Sequence, residues 1–112
     1  MAGTDEEHRD MVRNWDALES RLAQVTDIGE YLNEDVLEIT REQYLSDGKW
    51  ITKLYTLVTG IGGPHIEFNT NHLLAVYSGG GVHEYTTYDK RAIKTIDAIG
   101  DYLDDAYGTE SR

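Results

Sequence analysis

The chain has 112 residues, 39% of them hydrophobic and 28% charged, with a formal net charge of −11 and no cysteine. Its length suits one domain over residues 1–112, and its apolar and aromatic content argues against wholesale disorder. The absence of cysteine excludes disulfides, thiolate metal sites and a cysteine nucleophile, and it fits a reducing, cytoplasmic setting. No apolar run approaches the roughly 20 residues that a membrane-spanning helix needs. The acidic Met1–Asp10 stretch has no apolar core and does not read as a secretory signal.

The charge is unevenly spread. Up to Asp47 there are 13 acids against four arginines, whereas Gly48–Tyr88 is neutral and the remainder contributes −2. Such a surface repels phosphate backbones and anionic lipid, so direct binding to nucleic acid or membrane is not expected, and a macromolecular partner on the N-terminal side should be basic. An acidic surface also serves solubility alone, with no partner at all.

Thr4-Asp5-Glu6-Glu7 reads as a capping box. Met11, Trp15, Leu18, Leu22 and Val25 then recur at spacings of four and three, which predicts a helix over about Asp5–Val25. Asp27 is placed to cap a short helical turn holding Ile28, Tyr31 and Leu32. Residues 35–45 fit neither period cleanly. A strand over about Val36–Glu42 is favoured because Ser46-Asp47-Gly48 suits a hairpin turn, with a helix as the competing reading.

Trp50–Thr59 is rich in β-branched and aromatic residues and reads as a strand. With Gly60–Pro64 as a five-residue hairpin loop, Thr59 would pair with His65, Val58 with Ile66, and Thr56 would face Phe68. Leu54, Thr56, Val58, Ile66 and Phe68 would then form the core face, continued by Leu73, Ala75 and Tyr77 across a turn at Asn69–His72. Leu57, Leu74 and Val76 would lie on the second face and offer an apolar surface for a homodimer or a partner. Ser78–Gly81 turns the chain into Val82–Thr87. Asp89 caps a final helix carrying Ala92, Ile93, Ile96, Ile99, Leu103 and Tyr107, and a frayed tail follows from about residue 109. The expected fold is α+β: an antiparallel meander of four or five strands, with an N-terminal and a C-terminal helix packed on one face.

Four features compete as sites. The Gly60-Ile61-Gly62-Gly63-Pro64 turn has the glycines of an anion nest. It lacks the lysine and hydroxyl of a phosphate loop, and it joins strand to strand, so glycine here reads as turn chemistry. In the assumed register His65, Glu67, His83 and Tyr85 share the second face, a ligand- or metal-type cluster or a set of ordinary surface residues. Tyr77, Tyr85, Tyr88, Tyr102 and Tyr107 suit either a protein interface or the core boundary. Asp5, Glu6, Asp10, Asp16, Glu19, Glu30, Glu34, Asp35 and Glu38 line the first helix and its exit, where carboxylates on a rigid element can imitate a row of phosphates. No catalytic set, cofactor or metal ligand group can be named.

The run Leu57–Phe68, with its GGP turn, resembles a strand–turn–strand element of small uncharacterised proteins of archaea, phages and plasmids. The likeness spans Leu54–Tyr85. It carries over no functional residues and implies a mobile-element or accessory context, in which small acidic domains act as inhibitors of defence nucleases or as regulators. The reading that follows is a non-enzymatic acidic interaction domain for a basic surface, such as that of a nucleic-acid-binding protein. The alternative is a small ligand- or metal-binding domain using the His65/Glu67/His83/Tyr85 face.

Overall fold

The computed structural model describes residues 5–59, 65–78 and 81–107, and the side chains among them other than those of 5–8, 10, 11 and 78. Within these residues the order is α1 (Asp5–Ala23), α2 (Ile28–Asp35), β1 (Val36–Ser46), β2 (Lys49–Thr59), β3 (Ile66–Asn69), β4 (Leu73–Ser78), β5 (Gly81–Thr86) and α3 (Lys90–Tyr107). The strands form one five-stranded antiparallel sheet in chain order. The fold is α+β, and the helices pack on one sheet face through a shared apolar cluster.

The helices form where the apolar spacing places them. Leu18 and Leu22 of α1 are fully buried, with Trp15 packed against the same cluster. Asp27 caps α2 by accepting the Glu30 N–H at 3.0 Å. Asp89 caps α3 by accepting the N–H groups of Arg91 and Ala92 at 3.0 and 2.9 Å. Ala92, Ile96, Ile99 and Leu103 then bury one stripe of α3. The Thr95 hydroxyl donates to the Leu22 carbonyl at 2.7 Å, beside the Val25 N–H that the same carbonyl accepts, and joins the two long helices.

Residues 36–46 are strand throughout, which settles the ambiguous segment. β1 turns into β2 through Asp47 and Gly48, whose φ values of 52° and 76° are the paired positive angles of a two-residue hairpin turn. The Thr4–Glu7 box, the Gly60–Pro64 joint, Gly79–Gly80 and the tail at 109–112 lie outside the described residues or rest on residues that do.

The register differs from the expected one by a single residue on both sides of β3. Thr59 pairs with Ile66, Val58 with Glu67 and Leu57 with Phe68. Phe68 pairs with Leu74 and Ile66 with Val76. Side chains alternate along a strand, so each slip exchanges the faces of its neighbour. The core face therefore carries Tyr55, Leu57, Thr59, Ile66, Phe68, Leu74 and Val76, all buried. Leu54, Thr56 and Val58 lie on the opposite face with Leu73, Ala75 and Tyr77, and Leu57, Leu74 and Val76 are core rather than a dimer surface.

Two physical reasons favour the observed pairing. On β4 it turns Leu74 and Val76 rather than Leu73 and Ala75 toward the helices, and it leaves Tyr77 partly in water. At the β3–β4 turn, the Asn69 side chain accepts the N–H groups of Asn71 and Leu73 at 2.8 and 3.3 Å, and His72 takes φ 70°. Thr70 meanwhile stays attached to Tyr55 of β2, donating its N–H to the Tyr55 carbonyl and accepting the Tyr55 N–H on its hydroxyl. The turn thus holds one more residue than a minimal hairpin.

Leu57→Ala should cost about 2–5 kcal/mol, the usual range for a leucine deleted from a core, whereas Val58→Ala should cost no more than about 1 kcal/mol. Urea unfolding of both variants checks the face assignment, and a larger loss for Val58→Ala would reverse it. Ile66→Asp should unfold the domain, because Ile66 is fully buried. At Gly100, an added Cβ would meet only the Thr70 methyl at 3.5 Å, an ordinary contact. Gly100→Ala should therefore stabilise the domain by about 0.4–1 kcal/mol through helix propensity and a less flexible unfolded chain. A lower melting temperature would show a tighter α3–sheet contact than the backbone indicates.

Candidate interaction surfaces

The acids singled out in the sequence divide into three groups. Asp5, Glu6 and Asp10 lie on α1 with side chains outside the described set. Asp16, Glu30, Glu34 and Glu38 are exposed. Glu19 and Asp35 are not free surface charges. Glu19 accepts hydrogen bonds from the hydroxyls of Thr87 and Tyr85, tying α1 to β5 and the segment that follows it. Asp35 takes a two-pronged bond from the Arg21 guanidinium, Nε to Oδ2 at 2.9 Å and Nη2 to Oδ1 at 3.1 Å. The same guanidinium lies over the Tyr31 ring, 5.3 Å from its centroid. The geometry joins α1 to both Tyr31 and the last residue of α2 through one cation.

A second acidic stripe is on α3. Asp97, Asp101, Asp104 and Asp105 are all exposed and recur at helical spacing. Two of these residues also anchor the helix to the sheet. Asp97 contacts His72 Nε2 at 2.8 Å, and Asp104 accepts the Tyr55 hydroxyl at 3.0 Å. The Tyr55 phenol is raised above its ordinary value by desolvation first and by Asp104 second. A spacing of four, three and one was visible in the sequence. It was hidden by counting charge over the whole C-terminal segment, where Lys90, Arg91 and Lys94 offset the aspartates.

The charges of α3 also run against its own dipole. Lys90 and Arg91 occupy the first turn, where partial positive charge already resides, and the last turn carries Asp104 and Asp105 with no basic residue. Each such placement costs about 0.3–1 kcal/mol at low ionic strength.

A third set of acids lies on the uncovered sheet face. Glu38, Val58, Glu67, Ala75 and Glu84 pair in turn across all five strands, so three carboxylates occupy alternate positions of one transverse row. Two strand spacings, about 9–10 Å, separate successive acids.

The four residues of the alternative ligand face do not come together. His65 and Glu67 are on the uncovered face, where His65 Nε2 meets Glu67 Oε1 at 3.0 Å and the His65 ring packs edge-on to Tyr77 at 4.5 Å. His83 pairs with Val76 and Tyr85 with Leu74, which places both on the helix-covered side. There Tyr85 packs on Trp15 with ring centroids 5.6 Å apart. The one-residue slip at Ile66 causes this division. Among the described residues, no three His, Asp or Glu side chains converge to hold a metal ion. Among the tyrosines proposed as an interface rim, Tyr88, Tyr102 and Tyr107 are exposed, and Tyr77 and Tyr85 less so. No helix of the described residues is long and apolar enough to cross a membrane. No protein-family model, curated protein or solved structure matches the chain.

Beneath the Arg21–Asp35 pair, Tyr31 is 1% exposed and its hydroxyl has no hydrogen-bond partner among the described residues. Burial pushes this phenol well above the ordinary tyrosine range, with Asp35 adding to the shift and Arg21 opposing it. The unfolded chain therefore releases this proton first, at about pH 10. The stability that the neutral phenol contributes is whole below that pH and is lost as pH rises toward the higher folded value. Tyr31→Phe should leave stability near wild type at neutral pH and flatten its decline above about pH 10. Urea midpoints measured across that range test this, and an unchanged alkaline slope would assign the decline to other groups.

Proposed function

We propose that the protein is a non-enzymatic acidic interaction domain that binds a basic protein surface, of the kind that nucleic-acid-binding proteins present to a phosphate backbone. The observation that carries this reading is the inverted charge of α3. Asp104 and Asp105 occupy the last turn, where the carbonyls are already negative, with Asp101 one turn before, and against them stands no basic residue of that turn and only one bond from outside the helix, Arg41 of β1 donating to the Tyr107 carbonyl at 3.5 Å. A cationic partner relieves that repulsion on binding, so part of the helix's electrostatic cost becomes binding free energy. The exposed Asp16, Glu30 and Glu34 add negative field from the neighbouring helices.

Rows of carboxylates on rigid elements are the requirement for imitating phosphates, and both the α3 stripe and the Glu38–Glu67–Glu84 row supply them. In an accessory or mobile-element setting, the matching role is occupation of the nucleic-acid groove of a nuclease or defence complex.

Purification of partners from the native host, followed by titration of a purified partner across salt concentrations, tests the reading. Binding should weaken steeply with salt and be competed by DNA or RNA. Asp101→Lys with Asp105→Lys should weaken it by roughly tenfold or more, the scale of a few lost charge contacts. The same pair should leave the isolated domain at least as stable as wild type, with a gain of about 0.3–1 kcal/mol at Asp105, because lysine suits the last turn of a helix. Affinity that is indifferent to both salt and the charge reversals would eliminate the proposal.

A further inference from the structure

The β1–β2 hairpin outruns the rest of the sheet. β3 pairs with β2 only from Thr56 to Thr59, so the hairpin beyond Tyr55 continues as a ribbon of two strands. Two-stranded ribbons are marginally stable in water, and three or more strands are needed for independent stability. This one also exposes large apolar side chains on both faces. Leu45 and Trp50 pair on the helix side and are 59% and 49% exposed, and Tyr44 and Ile51 pair on the other side at 50% and 39%. β1 is moreover an edge strand. Its pairing with β2 is irregular at Leu37, and at the second irregularity the extra residue, Lys53, belongs to β2. From Glu38 to Ser46, β1 is thus an unbulged edge of the kind that recruits another strand.

We propose that the occupant of this edge is a second copy of the chain, paired antiparallel through β1 about a two-fold axis at Tyr44. Charge selects both the partner and the register. Arg41 to Lys53 carries three cations and two acids, a net of +1, within a chain of −11. The arm is where two copies can approach without like-charge repulsion. A two-fold antiparallel pair keeps the faces matched only when the axis passes through a residue position. Centred on Thr40, it sets Glu38 against Glu42. Centred on Arg41 or Glu42, it sets like charges against themselves. Centred on Gln43, it brings no opposite charges together. Centred on Tyr44, it places Arg41 beside the exposed turn residue Asp47 of the other copy, twice, with Gln43 facing Leu45 and Glu42 facing Ser46.

The result is a four-stranded sheet built from two arms, with each Tyr44 ring against its symmetry mate. Three residues of strand, roughly 10 Å, separate the axis from the base of each arm at Arg41, where the end of α3 meets the sheet through the bond from Arg41 to the Tyr107 carbonyl at 3.5 Å, and the two bodies point away from each other. Anionic membranes and nucleic acids would meet the same arm only by bringing up the −11 chain behind it.

Sedimentation equilibrium of the wild-type chain over a rising concentration series should show a monomer–dimer equilibrium. The absence of cysteine allows a register test, because a single introduced cysteine can cross-link only between copies. Tyr44→Cys stands opposite itself at the axis, within disulfide reach, whereas Thr40→Cys on the same face of β1 does not. Tyr44→Cys should oxidise to a covalent dimer at least about tenfold faster than Thr40→Cys, through the high local concentration that pairing creates. Tyr44→Lys, which brings two ammonium groups together, should be monomeric with unchanged circular dichroism. A wild-type chain that is monomeric at every concentration reached overturns the proposal, as does cross-linking of Thr40→Cys as fast as Tyr44→Cys. None of these measurements depends on the basic partner proposed above.

Discussion

The pairing of Thr59 with Ile66 is the constraint on which the domain turns. Side chains of a strand alternate, so this one contact commits Leu57 and Phe68 to the same side and sends Val58 and Glu67 to the other. β4 continues the choice with Leu74 and Val76, and β5 with His83 and Tyr85. Everything the helices bury on the sheet follows from that parity. So does the transverse Glu38–Val58–Glu67–Ala75–Glu84 row, which is the complement of the core left on the open side.

Acidic residues hold the layers together as well as coating them. Glu19 secures α1 to Thr87 and Tyr85, Asp104 secures α3 to Tyr55, and Asp97 meets His72 at the β3–β4 turn. Asp35 is committed to Arg21. In each case a carboxylate at the rim of the apolar cluster accepts from a hydroxyl, ring or guanidinium of another element. Hydrogen bonds to charged groups contribute more than neutral ones, about 1.5–3 kcal/mol against about 1. A high count of acids is therefore a poor measure of how much negative surface is available to a partner. Position relative to the sheet rim decides it.

The elements were legible in the sequence because helical spacing and capping residues act locally. Trp15, Leu18 and Leu22 announce α1, Asp27 and Asp89 sit where caps must sit, and Asp47-Gly48 marks its turn. The register was not legible, because it depends on whether a turn holds an odd or even number of residues and on long-range bonds such as that of Thr70 to Tyr55. Both faces of β2 and β4 carry apolar residues, so hydrophobic pattern alone did not break the tie between Leu57 and Val58 or between Leu74 and Leu73. The site reading inherited that ambiguity. His65 with Glu67 was sound as a neighbouring pair, but His83 and Tyr85 depended on parity across β4 and moved to the other side.

Magnitudes decide why the misplaced charges of α3 persist. Ile96, Ile99 and Leu103 are fully buried, and each contributes about 1.5–3 kcal/mol of apolar transfer. The unfavourable end charges cost about 0.3–1 kcal/mol apiece and are screened by salt. Packing on the sheet therefore sets the helix, and the exposed charges can run against the dipole without unfolding it. Stability does not require Asp101 or Asp105 to be acidic, and helix electrostatics favours the opposite sign. A pattern that folding tolerates but does not ask for points outward, toward whatever the surface meets. The same logic separates the two surfaces of this domain. On α3 the charges of Asp101 and Asp105 are structurally dispensable, and the near-neutral hairpin arm exposes apolar side chains that a two-stranded ribbon cannot bury by itself.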